Sequence, residues 1–146
     1  MSATSLTLEG FRNYGRYELE PHPSLTVLVG PNAVGKTNVI EALQLLTAAS
    51  SFRRPRWEDL VRWGDEAATI SLEAEEGERR LEVRLEIGAE GGHLFTVNGQ
   101  SRRRAADVTG RFPAVVFTPD DLALVKGPAG RRRAGGWLGV GRAGTR

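Results

Sequence analysis

Gly30-Pro31-Asn32-Ala33-Val34-Gly35-Lys36-Thr37 matches the phosphate-binding pattern G-x-x-x-x-G-K-[ST]. Each part of that pattern has a physical reason. Gly30 and Gly35 admit backbone conformations that turn successive N–H groups around an anion. The Lys36 ammonium would reach the β- and γ-phosphates of a nucleotide, and the Thr37 hydroxyl would ligate Mg²⁺. A helix starting at Thr37 would direct its positive end at the same anion.

The flanks suit this loop. Before it, Leu25-Thr26-Val27-Leu28-Val29 is a nearly continuous apolar run, the pattern of a strand buried on both faces of a parallel sheet. After it, Val39, Ile40, Ala42, Leu43, Leu45 and Leu46 cover most of a helix circumference, which predicts a largely buried helix. Further out, Leu6, Leu8 and Phe11 alternate as in a half-buried first strand, and residues 17–20 form a second. Residues 51–64 read as a polar helix or exposed loop with Arg53, Arg54, Arg56, Trp57 and Trp63. Beyond Gly64 the period becomes two, in 70–74 and again in 81–87. Leu94-Phe95-Thr96-Val97 then precedes Asn98-Gly99, a strong two-residue hairpin signal. Ala114-Val115-Val116-Phe117 returns to a buried-strand pattern. Thr118, Pro119 and Asp121 read as the capped start of a short helix.

Composition sets bounds. The 146 residues include no cysteine, so neither a disulfide framework nor a thiolate metal site is available. His22 and His93 have no neighbouring partner for zinc. No apolar run reaches the ~20 residues that span a bilayer. The N-terminus lacks the features of a secretory signal. A cytoplasmic protein that does not engage membranes is expected. The net charge of +2 and pI near 9.5 come from the last twenty residues, which hold five basic and no acidic side chains. Residues 1–126 carry 15 basic and 18 acidic groups, a net of −3. The overall pI is therefore no argument for DNA binding.

Several separated stretches, in order, resemble the RecF family of recombination-mediator ATPases. They are Leu6-Thr7-Leu8-Glu9-Gly10-Phe11-Arg12-Asn13-Tyr14, the loop and helix from Gly30 to Leu43, Ser51-Phe52-Arg53, Val97-Asn98-Gly99, and Val116 through Gly127 up to Arg131-Arg132-Arg133. Asn38 and Glu41 resemble both RecF and SMC heads. The resemblance implies an α/β P-loop NTPase fold, the N-terminal part of an ABC-type ATPase head with an inserted antiparallel β lobe. Residues 1–64 and 110–133 would form the partial head, and 65–109 the lobe. It also implies ATP and Mg²⁺ as cofactors, with Arg12, Asn13 and Asn38 joining the loop residues at the nucleotide. The 118–122 segment would link the two lobes of the head. The implied activity is ATP-dependent clamping of single-stranded or gapped duplex DNA by a homodimer, in replication and recombinational repair, alongside other recombination-mediator proteins.

The departures carry expectations of their own. The family places its signature motif, Walker B strand and D-loop beyond position 146. Within this chain Asp120 and Asp121 follow an apolar strand, but Pro119 turns the chain into a helix first, so capping is the better reading of them. After Arg133 the sequence becomes Gly/Arg-rich without period, as a truncated or frameshifted reading frame would give, and 134–146 is expected to be disordered. The chain is therefore expected to bind ATP without turning it over, and without dimerising on it. Two other readings stand beside this one: a non-functional fragment, or a small self-contained P-loop kinase or GTPase. Arg102-Arg103-Arg104 and the 53–56 arginines could contact a DNA backbone, or form a solvated face.

Overall fold

A computed structural model describes residues 1–116. The helix expected after Thr118, the 118–122 linking segment, Asp120, Asp121, Arg131–Arg133 and the 134–146 tail lie outside the described residues. The chain divides into two units, Met1–Ala114 and Val115–Arg146, and all described secondary structure belongs to the first.

Six strands form one antiparallel sheet in the order β2-β1-β3-β4-β5-β6. They are β1 (Ser2–Phe11), β2 (Tyr14–Leu19), β3 (Ala67–Glu76), β4 (Arg79–Gly88), β5 (His93–Val97) and β6 (Gln100–Arg102). The alternation read from the sequence puts every second residue on one face. Pairing aligns those residues into two apolar rows, Leu6–Leu72–Val83–Val97 and Leu8–Ile70–Leu85–Phe95, all buried. A one-residue slip would turn a whole row to solvent, so burial itself fixes the register. Asn98 and Gly99 close the β5–β6 hairpin, both at positive φ (49° and 73°), as the two-residue turn requires. The stretch 65–109 supplies β3 to β6 and is continuous with β1 through the β1–β3 ladder.

One helix, α1 (Lys36–Ala48), covers the buried face beside β3 and β4. Val39, Ala42, Leu45 and Leu46 enter the same core as the strand rows. The helix is buried on one side rather than around most of its circumference, because it has a single sheet to lie against. Ile40 is consequently exposed.

The run at 25–29 corrects the expectation of a buried parallel strand. Pro21–Gly30 carries no strand, and Leu25, Val27 and Val29 are 72%, 67% and 88% exposed. Leu28 alone packs against the core. A strand buried on both faces needs a ladder at each edge and a layer over each face. The described strands instead satisfy one another within a single antiparallel sheet, whose apolar face α1 covers. The same holds for the described part of the 114–117 pattern: Ala114, Val115 and Val116 are in no strand, and Val115 is exposed. Residues 51–64 form a loop with one short 3-10 turn, Trp57–Leu60. Leu60 is buried, and Trp57 stacks on His93 at 3.8 Å between ring centroids.

Candidate phosphate-binding site

The Gly30–Thr37 loop leads directly into α1. Gly35 sits at φ +112°, a left-handed conformation that costs glycine little and other residues substantially. The helix it opens has no side-chain N-cap and no acid in its first turn. Helix starts ordinarily satisfy their free N–H groups with a capping oxygen. Here the N–H groups of Val34 and Gly35 meet no acceptor among the described residues. Together with the positive end of the helix dipole, they form a cradle of donors suited to an anion. Lys36 lies across the loop and donates from Nζ to the carbonyls of Gly30 and Pro31, each at 2.6 Å. Its ammonium is thus held at the loop by neutral acceptors rather than by a carboxylate. Thr37 is exposed at the same helix start. Phosphate oxygens fit this donor set, and the Thr37 hydroxyl fits a hard cation beside them.

Behind the loop lies a cluster that the sequence reading only partly marked. Glu41, one helical turn into α1, is 0% exposed. Arg12 donates to both its oxygens, from Nε to Oε2 at 3.0 Å and from Nη2 to Oε1 at 2.9 Å. Ser51 donates to Oε1 at 2.6 Å, and Arg53 to Oε2 at 3.1 Å. Burial pushes the Glu41 carboxyl up. The hydrogen bonds from Arg12 and Ser51, with the charges of Arg12 and Arg53, outweigh burial and hold it below the usual glutamate range. Arg12 is itself fixed by a left-handed backbone (φ 55°), by its N–H on the Leu60 carbonyl, and by Nη1 on the Asp59 carbonyl.

Of Arg12, Asn13 and Asn38, the structure ties Asn13 and Asn38 to the loop in a relay that starts at Arg53. Arg53 donates to Asn38 Oδ1 at 2.7 Å, Asn38 Nδ2 donates to Asn13 Oδ1 at 2.8 Å, and Asn13 Nδ2 donates to the Val34 carbonyl at 3.1 Å. Arg12 spends its guanidinium on Glu41 and Asp59 rather than on the open side of the loop. Tyr14 and Ser51 were missed as neighbours of the site. Neither side chain forms part of the loop pattern, and only folding of the β1–β2 turn and the 49–54 loop onto α1 brings them in.

Of the arginines considered as a DNA-contacting face, two are held in ion pairs. Arg53 is held as above, and Arg56 is paired with Glu58 and Asp59. Arg102 donates to Gln100. Arg54, Arg103 and Arg104 are exposed, with no ion pair among the described residues. No helix of the described residues is long and apolar enough to cross a membrane.

Comparison with known proteins places these features in a family. The RecF/RecN/SMC N terminal domain family matches residues 2–123. The DNA replication and repair protein RecF of Streptomyces avermitilis is 41% identical over 133 residues, covering 91% of this chain and 36% of the relative. That of Paenarthrobacter aurescens is 42% identical, covering 88% and 32%. The chain thus spans about a third of the length of these curated relatives. Among solved structures, the recombination mediator protein RecF with ATP, of the RecFOR pathway, superposes with TM-score 0.79 at 26% identity. The match covers 90% of this chain and 37% of that one. The SMC head domain from Thermotoga maritima superposes with TM-score 0.66 at 26% identity, over 77% and 43%. The described fold is that of the N-terminal part of such P-loop ATPase heads.

Proposed function

The chain belongs to the RecF/RecN/SMC N-terminal domain family, and from that membership we propose that it is the nucleotide-loop part of a RecF-type DNA replication and repair protein. In this reading it binds ATP with Mg²⁺ on Gly30, Pro31, Asn32, Ala33, Val34, Gly35, Lys36, Thr37 and Asn38, with Arg12 and Asn13 beside the loop and Thr37 on the metal. The whole protein would clamp single-stranded or gapped DNA as an ATP-dependent homodimer, working with other recombination-mediator proteins in the cytoplasm. Residues 65–109 would be a β-rich insertion, built onto β1, between the head parts 1–64 and 110–133. A self-contained P-loop kinase or GTPase has nothing comparable to the RecF relatives in its favour.

The carrying observation is the uncapped start of α1, with Gly35 left-handed and Lys36 held by carbonyls alone. Fluorescent-ATP titration at fixed Mg²⁺ tests it. Lys36→Ala should weaken binding by about 1.5–3 kcal/mol, the worth of a charge-assisted hydrogen bond. Equal affinities for the two proteins would sink the assignment.

Binding without turnover belongs to the same proposal. Phosphoryl transfer needs a group to position the attacking water as well as a phosphate cradle. Glu41, the one acid on α1, is buried and committed to Arg12, Ser51 and Arg53. Phosphate release by this chain should stay at background. Lys36-dependent release would point to an acid outside the described residues, with Asp120 and Asp121 first in line.

A further inference from the structure

Asn13 is exposed, yet its side chain is committed on both sides, accepting from Asn38 and donating to the Val34 carbonyl. The direction of this relay is fixed at its ends. The Val34 carbonyl can only accept and the Arg53 guanidinium can only donate, so both amides between them have one consistent orientation. At its other side Arg53 is anchored on Glu41, which Arg12 and Ser51 also grip. A buried charge cluster therefore reaches, through two amides, a single peptide group of the phosphate loop.

That peptide joins Val34 to Gly35. It is trans, so its C=O and N–H point in opposite directions. Holding the Val34 oxygen towards Asn13 sets the Gly35 N–H away from Asn13. Gly35 has the wide conformational freedom of its type, so its own φ does not restrict which way the peptide faces. Asn13 and Tyr14 also leave no room for a side chain at Gly35: a Cβ there would lie 2.8 Å from the Asn13 amide atoms and 2.7 Å from the Tyr14 hydroxyl.

We propose that Asn13 is a positioning residue that locks the Val34–Gly35 peptide, so that the Gly35 N–H is preset to donate to a nucleotide phosphate. The inference rests on the nucleotide-binding reading of the loop. It gives Asn13 a role through the backbone rather than by contact with the ligand. Presetting the donor removes an ordering cost from binding, so its loss weakens affinity without unfolding the protein.

The experiment titrates ATP with Mg²⁺ against the 146-residue wild type, Lys36→Ala, Asn13→Ala and Asn13→Asp. Each titration is followed by fluorescent-ATP competition and by the Gly35 amide resonance in ¹⁵N-labelled protein, and Tm is measured alongside. Asn13→Ala should bind about tenfold more weakly, the ordering cost that presetting one donor removes, with Tm unchanged and the ATP-induced shift of Gly35 diminished. Asn13→Asp should be weaker still, because a carboxylate cannot donate to the Val34 carbonyl and faces it with like polarity. Wild-type affinity in Asn13→Ala, an undiminished Gly35 shift, or a fall in affinity matched by a fall in Tm would overturn the proposal. If Lys36→Ala is weakened while Asn13→Ala is not, the positioning role alone fails. If wild type and Lys36→Ala bind alike, the nucleotide reading fails and takes the positioning role with it.

Discussion

At Glu41, four donated hydrogen bonds converge on two carboxylate oxygens that have no access to water. Removing the charge from such a site leaves the guanidinium groups without their counter-ion, and breaking a buried pair is costly. Glu41→Gln should lower stability by about 3 kcal/mol in urea unfolding, the low end of the roughly 3–5 kcal/mol that breaking a buried pair costs, because Arg53 is partly exposed. The pH dependence follows from the direction of the shift. The folded Glu41 carboxyl titrates below its ordinary value of 4.5, so its stabilisation is complete above that value. It is lost as pH falls from there through the folded pKa. Unfolding free energy measured between pH 7 and 3 should fall for wild type, and that component should be missing in Glu41→Gln. Glu76, also held low by a hydrogen bond from the Met1 ammonium, is exposed and present in both proteins, so it cancels in the comparison. Gly35 is the other decisive residue. Gly35→Ala would hold a Cβ in a left-handed backbone against Tyr14 and Asn13, and should cost about 1–3 kcal/mol of stability together with ATP binding. Unchanged Tm and affinity would mean that the loop can adopt another shape.

Among the elements, the β5–β6 hairpin isolates backbone preference from packing. Gly99 sits at φ +73°, and a Cβ there would meet nothing within 4 Å, so Gly99→Ala should cost only the left-handed strain, about 1 kcal/mol. Asn98 has positive φ too, and its Oδ1 accepts from the Glu82 N–H at 2.7 Å. Asn98→Ala should therefore lose both the turn preference and a hydrogen bond, about 1–2 kcal/mol. Thermal melts of the two variants would rank them; a smaller cost for Asn98→Ala would show that the side-chain bond contributes nothing. This turn was legible in the sequence because its chemistry is local: two residues that tolerate positive φ between alternating apolar strands. The strand rows were legible for the same kind of reason, since a period of two is written directly in residues 70–74 and 81–87. The phosphate loop was legible as a spacing. The burial of Glu41 was not, although the residue stood out by resemblance, because a glutamate on a helix reads by default as solvent-facing. The available signal was its place three residues after Asn38 and four before Leu45, on the edge of the apolar stripe. Its partners come from the β1–β2 turn and the 51–53 loop, which no local pattern brings together.

Across the whole molecule the apolar run at 25–29 shows what hydrophobicity alone leaves undetermined. Its composition demands burial, but burial depends on a second surface, and none of the described strands pairs with it. Leu25, Val27 and Val29 therefore stand in solvent immediately before the phosphate loop, while residues of the same type at Leu72 and Val83 have none. Identical chemistry should then carry different weights at the two places. Leu72→Ala empties a packed position in the Leu6–Leu72–Val83–Val97 row and should cost about 2–5 kcal/mol. Val27→Ser removes methyl groups already in water and should change stability by less than about 0.5 kcal/mol. It should also reduce binding of a dye that reports exposed apolar surface, since three neighbouring aliphatic side chains form the kind of patch such dyes find. Urea unfolding of both variants with the dye titration makes the comparison. A cost above about 1 kcal/mol for Val27→Ser would mean that the run is paired and covered in solution. The chain would then contain a second sheet surface, and the phosphate loop would be anchored from both its strand and its helix rather than from α1 alone.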